Sequence, residues 1–146
     1  MGKIKTDVCV IGAGSGGLSF AAGAAQMGAR VVLVEHGEMG GDCLNTGCVP
    51  SKALIAAAEI AHNIQQANHF GIDVKTPHVD YARVHQHIRH VIDAIAPNDS
   101  IARFEEFGVR VIRASGQFID KKTLRAGEHE IQARRFVIAT GSHATV

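Results

Sequence analysis

Residues 6–35 read T-D-V-C-V-I-G-A-G-S-G-G-L-S-F-A-A-G-A-A-Q-M-G-A-R-V-V-L-V-E, and this stretch decides the fold. Thr6 to Ile11 is a short, β-branched apolar run, the pattern of a strand buried on both faces. It runs straight into Gly12-Ala13-Gly14-Ser15-Gly16-Gly17. Leu18 to Met27 is rich in alanine and predicts a helix, with Gly28 as its C-terminal stop. Arg30 to Glu35 predicts a second buried strand. Strand, glycine turn, helix and strand make a βαβ unit, which starts a parallel sheet. Gly12, Gly14 and Gly17 form G-x-G-x-x-G inside that unit. The first glycine allows a tight turn, the second lets a pyrophosphate approach the backbone, and the third lets helix and strand pack closely. Glu35 ends the second strand, where a carboxylate can accept ribose hydroxyls. These residues predict a dinucleotide site without saying which dinucleotide.

Outward from this unit, His36 to Gly47 reads as a glycine-rich loop and Val49 to Ala67 as a helix. Residues 68–79, with Gly71 and Pro77, read as a polar linker. Asp80 to Ile95 is amphipathic, since Val84, Ile88, Val91, Ile92 and Ile95 share one helical face. Pro97 kinks or ends it, and Asn98, Asp99 or Ser100 caps a shorter helix reaching Phe107. From Val109 the period changes to two. V-R-V-I-R, G-Q-F-I-D, K-T-L-R-A and E-I-Q-A-R-R-F-V-I-A-T predict strands, with a turn near Ala126-Gly127-Glu128. The fold class expected is therefore α/β: a Rossmann-type parallel sheet, a long helix pair and a small antiparallel β-meander before the final strand.

The second informative stretch is G-G-D-C-L-N-T-G-C-V-P-S-K, Gly40 to Lys52. On an ideal helix Cys43 and Cys48 would lie ~140° apart with a rise of ~7.5 Å, beyond the ~7 Å between Cα atoms that a disulfide spans. A bridge between them requires an irregular turn, and Asn45, Thr46 and Gly47 are poor helix formers. So short a loop gives a bridge little value as a staple, and a strained, reducible bond suits redox chemistry better. A structural zinc site needs four ligands, and only His36 stands near the pair, so no metal is assigned.

These residues resemble the N-terminal part of the class I pyridine nucleotide–disulfide oxidoreductases, which include lipoamide dehydrogenase, glutathione reductase and mercuric reductase. The likeness rests on V-I-G-A-G-S-G-G (Val10 to Gly17), Glu35, the Gly40–Lys52 motif and A-T-G-S (Ala139 to Ser142). It implies bound FAD, with NAD(P)H as the co-substrate of the intact enzyme. It assigns Gly12, Gly14, Ser15, Gly17 and Glu35 to the pyrophosphate and adenosine ribose. Gly41 and Asp42 fall near the flavin phosphates, and Ala139, Thr140, Gly141 and Ser142 near the same end. Cys43 is then the interchange thiol, Cys48 the thiolate facing the flavin, and Lys52 a cation beside its ring. Asp42 departs from the family, which more often has Thr there; a carboxylate would repel the phosphates, and it is expected to turn away or to cap the active-site helix. Ser51-Lys52 is closer to the lipoamide and mercuric branches than to the glutathione branch, which carries two lysines.

Complete members are roughly three times this length in several domains. Residues 1–146 are accordingly expected to be the N-terminal part of the FAD domain, without the NAD(P)H and dimerisation domains. The substrate implied is a small-molecule disulfide or a metal ion, and homodimerisation is expected only of the full-length chain. The alternative is a nucleotide-binding module without turnover, its cysteines structural or regulatory.

Composition narrows the remainder. A hydrophobic share of 46% with 20% charged residues rules out extended disorder. A formal charge of +1 gives no reason to expect nucleic acid or an anionic membrane as partner. The N-terminus does not read as a signal peptide, and the expected location is cytoplasmic. Cys9 reads as a buried core thiol, His85, His87 and His90 as a solvated face, and His143 as exposed.

Overall fold

The computed structural model describes residues 2–142, so the reading of His143 falls outside the described residues. The order of elements is β1 (Gly2–Ile11), α1 (Ser15–Gln26), β2 (Val31–Glu35), α2 (Gly41–Asn45), α3 (Cys48–Gln66), α4 (Tyr81–Ile95), α5 (Ile101–Glu106), β3 (Val109–Arg113), β4 (Gly116–Asp120), β5 (Thr123–Ala126) and β6 (His129–Ile138). The six strands form one sheet in the order β3-β2-β1-β6-β5-β4. β1 is parallel to both β2 and β6, and β3 is parallel to β2. β5 runs antiparallel to β4 and β6. The α/β class and the antiparallel group are as expected. One assignment changes: V-R-V-I-R belongs to the parallel part, at the edge beside β2, because a half-buried parallel edge strand alternates like an antiparallel one.

β6 joins the two halves. It pairs along its length with β1, from Gly2 opposite His129 to Ile11 opposite Ile138. Its first residues also pair with β5. The period of two divides the core accordingly. Val10, Val31 and Leu33 face α1 and α5 and pack with Leu18, Ala21 and Phe104. Cys9, Val32 and Val34 face the other way and pack with Leu124 and Ala126 of β5, so the β4–β5 hairpin covers that side. Leu33, Val10 and Cys9 are fully buried. Each such aliphatic side chain contributes about 1.5–3 kcal/mol on burial.

The local signals mostly hold, with shifted ends. α1 begins at Ser15 rather than Leu18, so the last two glycines of the turn are already helical. Gly28, at positive φ, follows its C-terminus. The Asp80 carboxylate accepts from the Ala82 and Arg83 amides and caps α4. Of the three candidates for α5, Ser100 is the cap, accepting from the Arg103 amide. Pro97 sits in a 3₁₀ turn, Ala96–Asp99, that ends α4. The linker opens with another 3₁₀ turn, Ala67–Phe70. The loop expected over 36–47 contains helix α2, which turn-forming residues concealed. α3 packs against α4. No helix among the described residues is long and apolar enough to cross a membrane.

Candidate functional site

At the carboxyl ends of β1, β2 and β6, two glycine-bearing loops press against each other. Gly12 has φ +105°, and a Cβ on it would overlap the Ala139 carbonyl oxygen. A Cβ on Gly17 would overlap the Gly12 carbonyl. These two glycines are steric necessities of the fold. The Ala139 amide donates to the Ile11 carbonyl at 2.8 Å, which fixes the Ala139–Ser142 turn beside the glycine turn. Gly14 differs: the nearest atom to a Cβ there is the Gly41 Cα at 3.9 Å. Protein packing leaves that space open.

The cysteine-bearing loop is attached to this turn through backbone. The Gly40 amide donates to the Ala13 carbonyl at 2.9 Å, and Gly14 and Gly40 form an isolated bridge. Gly41 has φ +59°, and a Cβ on it would come within 2.7 Å of the Gly14 Cα. Asn45 holds the loop from beneath, its amide donating to the Met39 and Gly41 carbonyls at 3.0 and 2.8 Å. Glu35 ties the same region from β2. One carboxylate oxygen accepts from the Ala13 amide and the other from the Gly37 amide, both at 2.6 Å, and His36 Nδ1 lies 3.3 Å away. Glu35 is buried.

Between the loops runs a groove of about 360 Å³. It brings together Gly14, Glu35, Gly41, Asp42 and the Ala139–Ser142 turn. Gly12, Ser15, Gly17, Cys43, Cys48 and Lys52 do not line it; the glycines shape it from behind. Sequence reasoning missed His36, Gly37, Glu38, Asn45 and Thr46 on its walls. Only their adjacency to Glu35 and to the cysteine motif could have signalled them. Among the described residues the walls hold Glu35, Glu38 and Asp42 but neither Lys nor Arg, with Arg113 reaching Glu38 at 3.9 Å.

Asp42 corrects an expectation. It lies inside the first turn of α2, whose N-cap is Gly40, and makes no capping bond. Its carboxylate accepts the Thr46 hydroxyl, while its carbonyl accepts the Thr46 and Gly47 amides at 2.9 and 2.6 Å. This turn breaks the helix between the cysteines, the irregularity that a bridge between them would need. Cys43 sits in α2 and Cys48 opens α3, and both are unbridged thiols. Cys48 holds the Cys43 thiol above its ordinary value, first by accepting its hydrogen bond, with partial burial and the charge of Cys48 adding to the effect. Lys52, one turn along α3, opposes this with its positive charge. Pro50 falls in the first turn of α3, where no intrahelical donor is lost.

The other candidates lie elsewhere. Cys9 is fully buried, and burial pushes its thiol up to about 12. His85, His87 and His90 are exposed on α4, His85 meeting the Tyr81 ring edge at 4.8 Å. No group of three or more His, Cys, Asp or Glu side chains gathers as for a metal among the described residues.

The family model for pyridine nucleotide-disulphide oxidoreductase matches residues 6–146. A mercuric reductase of Staphylococcus aureus is 36% identical over 141 residues, covering 96% of this chain and 26% of the relative. A dihydrolipoyl dehydrogenase of Geobacillus stearothermophilus is 35% identical over 147 residues, covering 95% and 30%. Among solved structures, a Cu(II) complex of the HOCl-induced flavoprotein disulfide reductase RclA from Escherichia coli superposes with a TM-score of 0.75 at 28% identity, covering 96% of this chain and 29% of that one. The chain thus spans less than a third of the length of these proteins. It belongs to the pyridine nucleotide-disulphide oxidoreductase family.

Proposed function

We propose that this member of the family is the FAD-binding, redox-dithiol portion of an NAD(P)H-dependent flavoprotein disulfide oxidoreductase. The observation that carries the reading is the seating of the cysteine loop on the glycine turn, Gly41 against Gly14, so that one groove wall is the helix bearing Cys43. The residues fit the cofactor. Gly14 leaves the space a Cβ would fill, and the first-turn amides of α1 (Ser15, Gly16 and Gly17) have no intrahelical acceptor. Each Glu35 oxygen accepts one amide and retains a lone pair for a ribose hydroxyl. With Glu38 and Asp42 on the walls and no Lys or Arg, the phosphates depend on backbone amides and the α1 dipole.

FAD, when bound, supplies a two-electron carrier between NAD(P)H and the cysteine pair. Reduction of a Cys43–Cys48 disulfide consumes two electrons and two protons and yields two thiols. The Cys43 thiolate attacks a substrate disulfide and releases one thiol, and Cys48 then resolves the mixed disulfide and releases the second. Cys48, at the first turn of α3, would be the sulfur that faces the flavin, with Lys52 as the nearby cation. The substrate is a small-molecule disulfide or, as for the mercuric reductase relatives, a mercuric ion. The whole protein is a cytoplasmic homodimer serving redox homeostasis. Completion of the domain by further chain is supported by β6, whose edge away from β1 has no partner strand beyond Gln132 among the described residues, and whose Ile138 is 70% exposed.

The test is the visible spectrum of the flavin-loaded full-length protein. Cys43→Ser is expected to show a thiolate-to-flavin charge-transfer band without reductant, and Cys48→Ser none. The reverse pattern would exchange the two roles. Absence of the band in both would leave a binding module without turnover.

A further inference from the structure

A second concavity, about 520 Å³, opens away from the groove, beside the amino-terminal half of β1, the start of β2, the β4–β5 turn and the middle of β6. Lys5, Arg30, Lys122, Arg134 and Arg135 line it from these separate segments, joined by Thr6 and Gln132, and Arg135 Nη1 donates to the Arg134 carbonyl at 2.9 Å. Two carboxylates stand at its margin. Asp7 is engaged three times by Arg30, by the guanidinium at 3.0 and 3.1 Å and by the amide at 3.1 Å, and lies 3.8 Å from Arg134. The Arg30 guanidinium holds the Asp7 carboxyl down at about 2, so it stays ionised at any ordinary pH. Asp120 accepts the Lys122 amide at 2.7 Å. Five cations against two carboxylates leave a strong local excess in a chain whose total charge is only +1.

Apart from the Arg30–Asp7 pair, none of these cations has a carboxylate within hydrogen-bond distance among the described residues. Arg30 and Arg134 remain 69% and 80% exposed, and Arg30 Nη1 has no protein partner among the described residues. A single phosphate or sulfate is small beside a concavity of this size, which lies within the range of ligand pockets. Arginine forks and lysine point charges together suit a chain of phosphates. We propose that this cleft binds a compact anion carrying two or more linked phosphate groups, an inorganic polyphosphate or a nucleoside di- or triphosphate. The site is separate from the groove, so binding there is independent of the flavin reading.

The test is calorimetric titration of the purified full-length protein with tripolyphosphate, ATP, orthophosphate and a single-stranded oligonucleotide, with and without added FAD. Expected is saturable, one-site binding of tripolyphosphate and ATP that weakens as salt rises. Orthophosphate is expected to bind at least about tenfold more weakly. Equal affinity for tripolyphosphate and ATP identifies the phosphate chain as the ligand; tighter ATP identifies a nucleotide. The double variant Lys122→Gln/Arg134→Gln is expected to lose at least about tenfold in affinity while melting and flavin content stay unchanged. No saturable binding, orthophosphate binding as well as tripolyphosphate, or an unaffected double variant would each overturn the proposal. So would tighter binding of the oligonucleotide. A result identical with and without FAD separates this outcome from any failure of the flavin site.

Discussion

The glycine turn and the cysteine loop meet at Gly14 and Gly41, yet they are specified to different degrees by backbone and by side chains. In the turn, Gly12 and Gly17 are fixed by backbone atoms that would overlap any side chain. In the loop, Gly41 is fixed in the same way by Gly14, but the rest of the geometry is held by hydrogen bonds from Asn45, Thr46 and Gly47, and the thiols are side chains. The first region is therefore rigid and indifferent to chemistry. The second mounts the two thiols on it. Gly14 belongs to the turn by sequence and to the groove by position, since packing alone does not demand a glycine there.

The largest effect expected from this contrast is at Gly17→Ala. The added methyl meets a carbonyl oxygen that cannot move without dragging β1, so the cost is expected to exceed about 3 kcal/mol. Chemical denaturation measures it, and a loss below 1 kcal/mol would show that the strand–helix packing is softer than described. Gly14→Ala sharpens the comparison. It is expected to cost about 1 kcal/mol or less in stability, from its N-cap position, yet to weaken FAD at least about tenfold. Parallel melting and flavin titrations decide, and unaltered flavin affinity would break the distinction between Gly14 and its neighbours.

The smallest effect concerns the loop. Cys48→Ala removes the main cause that holds the Cys43 thiol high. The thiolate fraction at neutral pH then rises, and alkylation of Cys43 by iodoacetamide is expected to accelerate several-fold, its pH–rate curve moving to lower pH. Lys52→Met should move that curve the other way, because a cation favouring the thiolate is lost. Buried Cys9 stays silent in both. An unmoved curve in Cys48→Ala would deny the coupling between the two sulfurs.

The sequence by itself determined the βαβ unit, the glycine turn, the amphipathic α4 and part of the groove, namely Gly14, Glu35, Gly41, Asp42 and the Ala139–Ser142 turn. These follow from short-range rules: a period of two or of about 3.6, and positions where only glycine fits. It placed the cysteine pair in an irregular turn, but the α2 helix in 36–47 was hidden by residues that favour turns locally and fold into a helix only when seated on Ala13 and Gly14. A period of two marked V-R-V-I-R as a strand without saying which neighbour it would pair with, and β2 claims it in parallel. Tertiary structure alone decided that Asp42 takes the Thr46 hydroxyl, that Gly41 rests on Gly14, and that five cations scattered from Lys5 to Arg135 share one cleft. The reason is that each depends on groups distant in sequence or on a backbone turn that forms only in context, which no local pattern encodes. A total charge of +1 describes the chain as a string, whereas the field at any point of its surface belongs to the fold.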